Sequence, residues 1–430
     1  MSRAIDSIAP IAAEALDLGA LLRSGDRVVC GQAAAEPRTL TRKLLAEAGA
    51  LPLQVFLGTT LSDTFDGALP PAMRFLAYGA MGRNAALADR RLLDVLPVPY
   101  GQLSACFAGG LLGADVVLLQ AAPGPAGRRP SLGLAHDYTL DAARRARVCV
   151  VELNPEVPWT HGAELPEDLR VDHWVHAQLG PLTLAEPPID AVAQAIAGHV
   201  AALVPDGATL QTGIGSLPDA VLAGLAGHRD LGLHSGVLGD TAARLVQGGA
   251  LNNARKGMDA GVSVANTVIG GAALYRWVHD NPAVRICAAH YTHGAPVLAR
   301  LPLLRTINAA LEIDLSGQAN CEAVGGRQRG GIGGLLDFTR AAHQAEGGRA
   351  ITVLPATAAG GRASRIVPAL DGPATLGRAD ADLVVTEYGV ADLRHATLAE
   401  RARRLTAIAA PAFREGLERA WRASPWGEAT

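Results

Sequence analysis

Gly207-Ala208-Thr209-Leu210-Gln211-Thr212-Gly213-Ile214-Gly215-Ser216-Leu217-Pro218-Asp219-Ala220-Val221 reads as a strand, a two-glycine turn and the start of a helix. Pro218 fits near a helix start, where a missing N–H costs little. Free amides at such a start can hold a phosphate or an oxyanion. The stretch has an echo in the first half of the chain. Gly25-Asp26-Arg27-Val28-Val29-Cys30-Gly31 keeps the same spacing between its outer glycines and also runs into a proline and a helix. A second pair is Gly113-Ala114-Asp115-Val116-Val117-Leu118-Leu119-Gln120 and Asp380-Ala381-Asp382-Leu383-Val384-Val385-Thr386-Glu387.

Working outward, short β-rich runs alternate with helical stretches. Val116–Leu119, Val148–Glu152, Ile351–Leu354 and Leu383–Thr386 read as buried parallel strands. Thr39–Ala48, Leu140–Arg147, Ile189–Leu203, Pro218–Ala226 and Leu398–Ala410 read as helices. The alternation predicts an α/β fold with mainly parallel sheets. The echoes predict two related α/β domains in tandem, residues 1–186 and 187–430, joined near Glu186-Pro187-Pro188. A chain of 430 residues is long enough for each to have its own core.

The net charge of -3 favours neither nucleic acid nor an anionic membrane as a partner. Met1–Pro10 lacks a basic start followed by an apolar run, so no signal peptide is expected. The apolar stretch Phe107–Ala122 is broken by Asp115 and is too short to span a bilayer. Cys30, Cys106, Cys149, Cys287 and Cys321 form no CxxC pair, which fits a reduced, cytoplasmic protein. No metal is expected: His290 and His293 are three apart but lack companions.

Three further segments could carry chemistry. Asn308 to Glu322 places Glu312, Asp314, Gln318 and Glu322 close together in sequence. Gly325 to Gly334 holds six glycines, Gly325, Gly326, Gly330, Gly331, Gly333 and Gly334, and leaves backbone open to a diphosphate or an extended arm. Val385 to Ala391 is a strand ending in a charged turn, where open α/β sheets bind ligands.

Taken in order, LQTGIGSLPDAV (210–221), LGLHSGVLGD (231–240), INAALEIDLSGQ (307–318), GGIGGLLDF (330–338), SRIVP (364–368) and VVTEYGVADLR (384–394), then Phe413-Arg414, resemble the acetyl-CoA hydrolase/transferase family, which includes 4-hydroxybutyrate CoA-transferases. The match is strong over about residues 187 to 420 and weaker before that. The resemblance implies a CoA-transferase-like fold with the active site between two similar domains. It implies coenzyme A and acyl-CoA as substrates, with no permanently bound cofactor, and small carboxylic acids as partners. It places Gly213, Ile214 and Gly215 in a first CoA-contacting turn, and Asn308 with Gly331, Gly333 and Gly334 in a second. A homo-oligomer is expected by analogy.

The family mechanism uses a glutamate that attacks the thioester and passes CoA to a second carboxylate. That glutamate falls where this chain has Gly236. Three readings follow. Another carboxylate, Glu322 or Glu312, takes over transfer or thioester cleavage. Alternatively, His234 serves as general base for a hydrolytic water, with Asp240 a further candidate. In the third reading the chain binds CoA or acyl-CoA without catalysis.

Overall fold

Val116–Ala121 is buried at all six positions, as a parallel strand covered on both faces must be. It belongs to a seven-stranded sheet with the spatial order Leu93–Val95, Met73–Ala77, Leu53–Leu57, Arg27–Cys30, Val116–Ala121, Val148–Leu153, His173–His176. Every neighbouring pair is parallel. The structure is a computed structural model and describes residues 9–427. Residues 1–8, most of the Met1–Pro10 start, and 428–430 lie outside the described residues.

The second sheet has eight strands, in the order Val284–Ile286, Ser263–Val268, Gly232–Leu238, Thr209–Thr212, Leu304–Ala309, Arg349–Val353, Leu383–Thr386, Gly389–Asp392. It is parallel except for its last pair. In both sheets the first strand lies inside, three strands run outward on one side, and the chain then returns to the other side. Each sheet therefore has a switch point beside its first strand, where ligands bind off the carboxyl ends.

The first echo is the seed of this symmetry. Gly31 N–H donates to the Leu118 carbonyl (3.1 Å), and Gly213 N–H donates to the Ile307 carbonyl (3.3 Å), each on the strand across the switch point. The second echo does not align. Val116–Ala121 lies next to the first strand of its sheet, whereas Leu383–Thr386 lies third from the first strand of the other; the counterpart of Val116–Ala121 is Leu304–Ala309. Buried parallel strands share a Val/Leu-rich composition whatever their rank, so the likeness reflects burial and not position.

The two halves also share a core instead of each closing on its own. One apolar cluster runs from Val29, Phe56 and Tyr138 in the first half through Leu233, Ala265 and Val385 in the second. Separate clusters cover the outer face of each half. Local signals set the helices: Asp190 caps Ala191–Ala201 by accepting from Ala193 N–H (2.8 Å), and Thr397 and Glu400 form a capping box on Leu398–Ala407. Among the described residues, no helix is long and apolar enough to cross a membrane.

Candidate active site

The carboxyl ends of the two sheets face each other across a cavity of about 300 Å³. From the first half come Gln32, Thr59, Tyr78 and Tyr100, all in segments that follow strands. The second half supplies the strand ends at Gln211–Thr212, Gly236–Val237, Asn266–Thr267 and Asn308–Ala309. Gly330 to Gly334 form another wall. A second cavity, about 400 Å³, shares Thr212, Gly213 and Ile214 with the first and continues past Gly215 toward Asp219 and Asp240. Burial pushes the Asp219 carboxyl up to about 6, with Glu186 adding to the shift.

A network of neutral groups ties the halves together behind the cavity. The Tyr100 hydroxyl donates to Asn266 Oδ1 (2.7 Å) and accepts from Gln32 Nε2 (2.7 Å). Gln32 Oε1 accepts from the Tyr78 hydroxyl (2.8 Å) and from Thr59 N–H (3.1 Å). Asn266 Nδ2 donates to the carbonyls of His136 (2.7 Å) and Cys287 (2.9 Å). Burial holds both tyrosine hydroxyls far above their ordinary range, so they stay protonated donors.

The glycine-rich loop docks by its backbone. Ala80 N–H donates to the Gly330 carbonyl (2.7 Å), and Tyr100 N–H donates to the Gly333 carbonyl (2.8 Å). A Cβ on Gly331 would lie 2.8 Å from both Gly79 Cα and the Tyr78 carbonyl oxygen. One on Gly334 would lie 2.7 Å from the His293 ring. Chain-to-chain packing thus accounts for two of these glycines, while the loop still offers its backbone to the cavity. At the opposite wall the helix Ser216–Gly224 starts directly after Gly215, whose φ of 116° lies in the region that favours glycine.

Of the residues singled out for ligand binding, Gly213, Ile214, Asn308, Gly331, Gly333 and Gly334 line the first cavity, and Gly213, Ile214 and Gly215 line the second. Gln211 and Asn308 pair through their side-chain amides, with both contacts at 3.1 Å.

The catalytic candidates are placed elsewhere. Glu322 is buried, accepts from the Thr375 hydroxyl (2.9 Å) and does not line the cavity; its neighbour Cys321 does. Glu312 lies in a small three-stranded sheet, opposite Asn320, and is also off the wall. His234 is fully buried under Tyr291, with Nε2 3.2 Å from the Thr292 carbonyl. Burial, then the Lys256 charge, pushes it down to about 4. The ring does not line the cavity. Asp240, the first residue of the helix Asp240–Gln247, lines the second cavity and accepts from Gly271 N–H (3.0 Å).

Gly236 does line the cavity, with φ outside the left-handed region. Among the described residues, no Asp, Glu, Lys or Arg stands on this wall. Two groups there could act on a thioester. Cys321 is one, but burial pushes its thiol up to about 12 and keeps it protonated. His293 is the other, and no sequence motif marked it for catalysis. Its side chain packs between Tyr100 and Phe338, with ring centroids 4.7 Å from each. Burial, helped by His234, pushes it down to about 3, so the imidazole is neutral. Among the described residues, no group of three or more His, Cys, Asp or Glu is arranged to hold a metal ion.

Comparison with known proteins agrees with the α/β fold. The family model for the acetyl-CoA hydrolase/transferase C-terminal domain matches residues 270–421. The 4-hydroxybutyrate coenzyme A transferase of Clostridium kluyveri is 38% identical over 344 residues, 80% of each chain. The crystal structure of RipA from Yersinia pestis superposes with a TM-score of 0.88 at 31% identity, over 94% of this chain and 96% of that one. That of 4-hydroxybutyrate CoA-transferase from Porphyromonas gingivalis gives 0.79 at 32% identity, over 96% and 97%.

Proposed function

Because the chain belongs to the acetyl-CoA hydrolase/transferase family, we propose that it is an enzyme that binds acyl-CoA thioesters between its two sheets and either moves CoA between small carboxylates or hydrolyses the thioester. The cavity carries this reading: glycine backbone on two sides, the amides of Gln211 and Asn308, and buried tyrosine donors behind. The start of Ser216–Gly224 and the Gly330–Gly334 loop offer main-chain N–H groups to a thioester carbonyl or a phosphate. CoA comes and goes as a substrate. Residues 1–186 and 187–430 are its two domains in this reading, and copies of the chain associate as a homo-oligomer. A cytoplasmic setting accords with five unpaired cysteines.

Gly236 has no side chain to form an acyl-glutamyl intermediate, and no carboxylate on the wall stands in for it. That same observation favours a second reading, a CoA or acyl-CoA binding protein without turnover. One assay separates them. The purified protein meets acetyl-, butyryl- and succinyl-CoA, with and without a panel of carboxylic acids, and thioesters are followed by mass spectrometry. New acyl-CoA appearing only with an acceptor means transfer; free CoA without one means hydrolysis. Bound CoA with neither product supports the binding reading, and absence of both binding and turnover overturns the proposal.

A further inference from the structure

A Cβ built on Gly236 would meet His293 first: Nε2 at 3.3 Å and Cε1 at 3.5 Å, with Phe338 next at 4.0 Å. The missing side chain therefore leaves a small space on the cavity wall that faces an imidazole nitrogen. From this juxtaposition we infer that the protein hydrolyses acyl-CoA with His293 as general base, acting on a water molecule seated beside Gly236. The inference rests on the acyl-CoA reading above and chooses hydrolysis within it.

Three features prepare His293 for this role. The first is its tautomer. We assign the Thr292 hydroxyl proton to the Ala288 carbonyl (3.3 Å), so that the hydroxyl oxygen accepts from His293 Nδ1–H (2.8 Å). The lone pair then lies on Nε2, toward Gly236. The second is orientation. Tyr100 and Phe338 hold the ring from two sides, and close approach by Gly334 closes a third. His234 fixes the segment from below through the Thr292 carbonyl, which makes it a positioning residue. The third is protonation state, since burial keeps the ring neutral and free to accept a proton while lowering its basicity.

The step balances without any further reactant. Water forms a C–O bond to the thioester carbonyl carbon while its proton passes to Nε2. The tetrahedral intermediate then expels CoA sulfur, breaking the C–S bond, and the imidazolium returns the proton to the thiolate. The products are a carboxylic acid and free CoA. A water oxygen hydrogen-bonded to Nε2 and in van der Waals contact with the Gly236 Cα would overlap a Cβ at this position, so glycine is what admits it.

The test uses the full chain and acetyl-, butyryl- and succinyl-CoA without acceptor, reading thiol release, CoA affinity by calorimetry and melting temperature. Wild type is expected to release free CoA. His293→Gln is expected to lower kcat by about 100-fold or more with KM and CoA affinity little changed. Gly236→Ala keeps the histidine and occupies the water position, and is expected to lower hydrolysis by about tenfold or more. If His293→Gln does not fold, Gly236→Ala still decides. Hydrolysis undiminished in either folded variant overturns the inference but leaves the acyl-CoA reading standing. Binding without turnover does the same. No binding and no turnover in wild type overturns both.

Discussion

The two halves begin their sheets in the same way and then diverge. After Gly31 the first half places Gln32 and a short turn whose Ala33 has φ 52°, and fills its switch point with a buried network of Gln32, Thr59, Tyr78 and Tyr100. After Gly213 the second half places Ile214 and Gly215 and leaves main chain facing the cavity. Carboxylates differ too. The first half has Glu152 on the strand Val148–Leu153, where its Oε2 accepts from Thr39 N–H (2.9 Å) and Leu40 N–H (3.1 Å) at the start of a helix. The second half has Gly236 at the end of a strand and no carboxylate on its wall. One half works as a rigid polar abutment and the other as the ligand-facing surface. A symmetric fold thus holds an asymmetric site.

Asn266 joins the two, so its loss should break the comparison most severely. It is 1% exposed and bonds to Tyr100, His136 and Cys287. Asn266→Ala leaves several buried groups without partners, which should cost about 3 kcal/mol in urea unfolding. A cost under about 1 kcal/mol would mean the abutment is not rigid.

Glu152 sharpens the contrast through pH. Burial pushes its carboxyl from 4.5 up to about 7, although the Thr39 and Leu40 amides pull it down. The folded protein therefore holds this proton more tightly than the unfolded chain between about pH 4.5 and 7. Its contribution to stability is complete below the unfolded value and is lost as pH rises through the folded one. Unfolding free energy should fall from pH 5 to pH 8 by something on the order of 2 kcal/mol from this group. Glu152→Gln should flatten that part of the profile. An unchanged slope in the variant would assign the effect to other buried carboxyls such as Asp137, also raised to about 6 by burial.

Much of this was legible in the sequence, for a physical reason. Strand–helix alternation and the Gly25–Gly31 and Gly207–Gly213 echo are local patterns, and they led to the mainly parallel sheets. The glycine turns that line the cavities were legible too, because an open backbone needs glycine in the chain itself. The side chain that faces Gly236 was not. Glu322, Glu312 and His234 stand near the motifs in sequence, but each is engaged locally, with Thr375, with the Asn320 side of a small sheet, and with Thr292. His293 sits at the end of a short helix, Ala289–Thr292, with no motif around it. Only the fold brings it to Gly236, and pairing of that kind leaves no trace in spacing. The second echo misled for the opposite reason, since buried strands resemble each other whatever their place.

Two glycines of one loop provide the finest test of which half needs what. Gly331 and Gly333 both face the cavity. Gly331 is glycine because the first half presses on it, with Gly79 Cα and the Tyr78 carbonyl oxygen at 2.8 Å from a Cβ. Gly333 is glycine because its φ is 53°, with nothing within 4 Å of a Cβ. Gly331→Ala must therefore push backbone from backbone across the junction, at about 2 kcal/mol, and it should weaken CoA binding because both halves wall the cavity. Gly333→Ala meets only the left-handed strain, about 1 kcal/mol, and should leave the junction and CoA affinity nearly as they were. Urea unfolding and calorimetry on the two variants read these separately. Equal losses of affinity would mean that the loop, and not its contact with the first half, shapes the site.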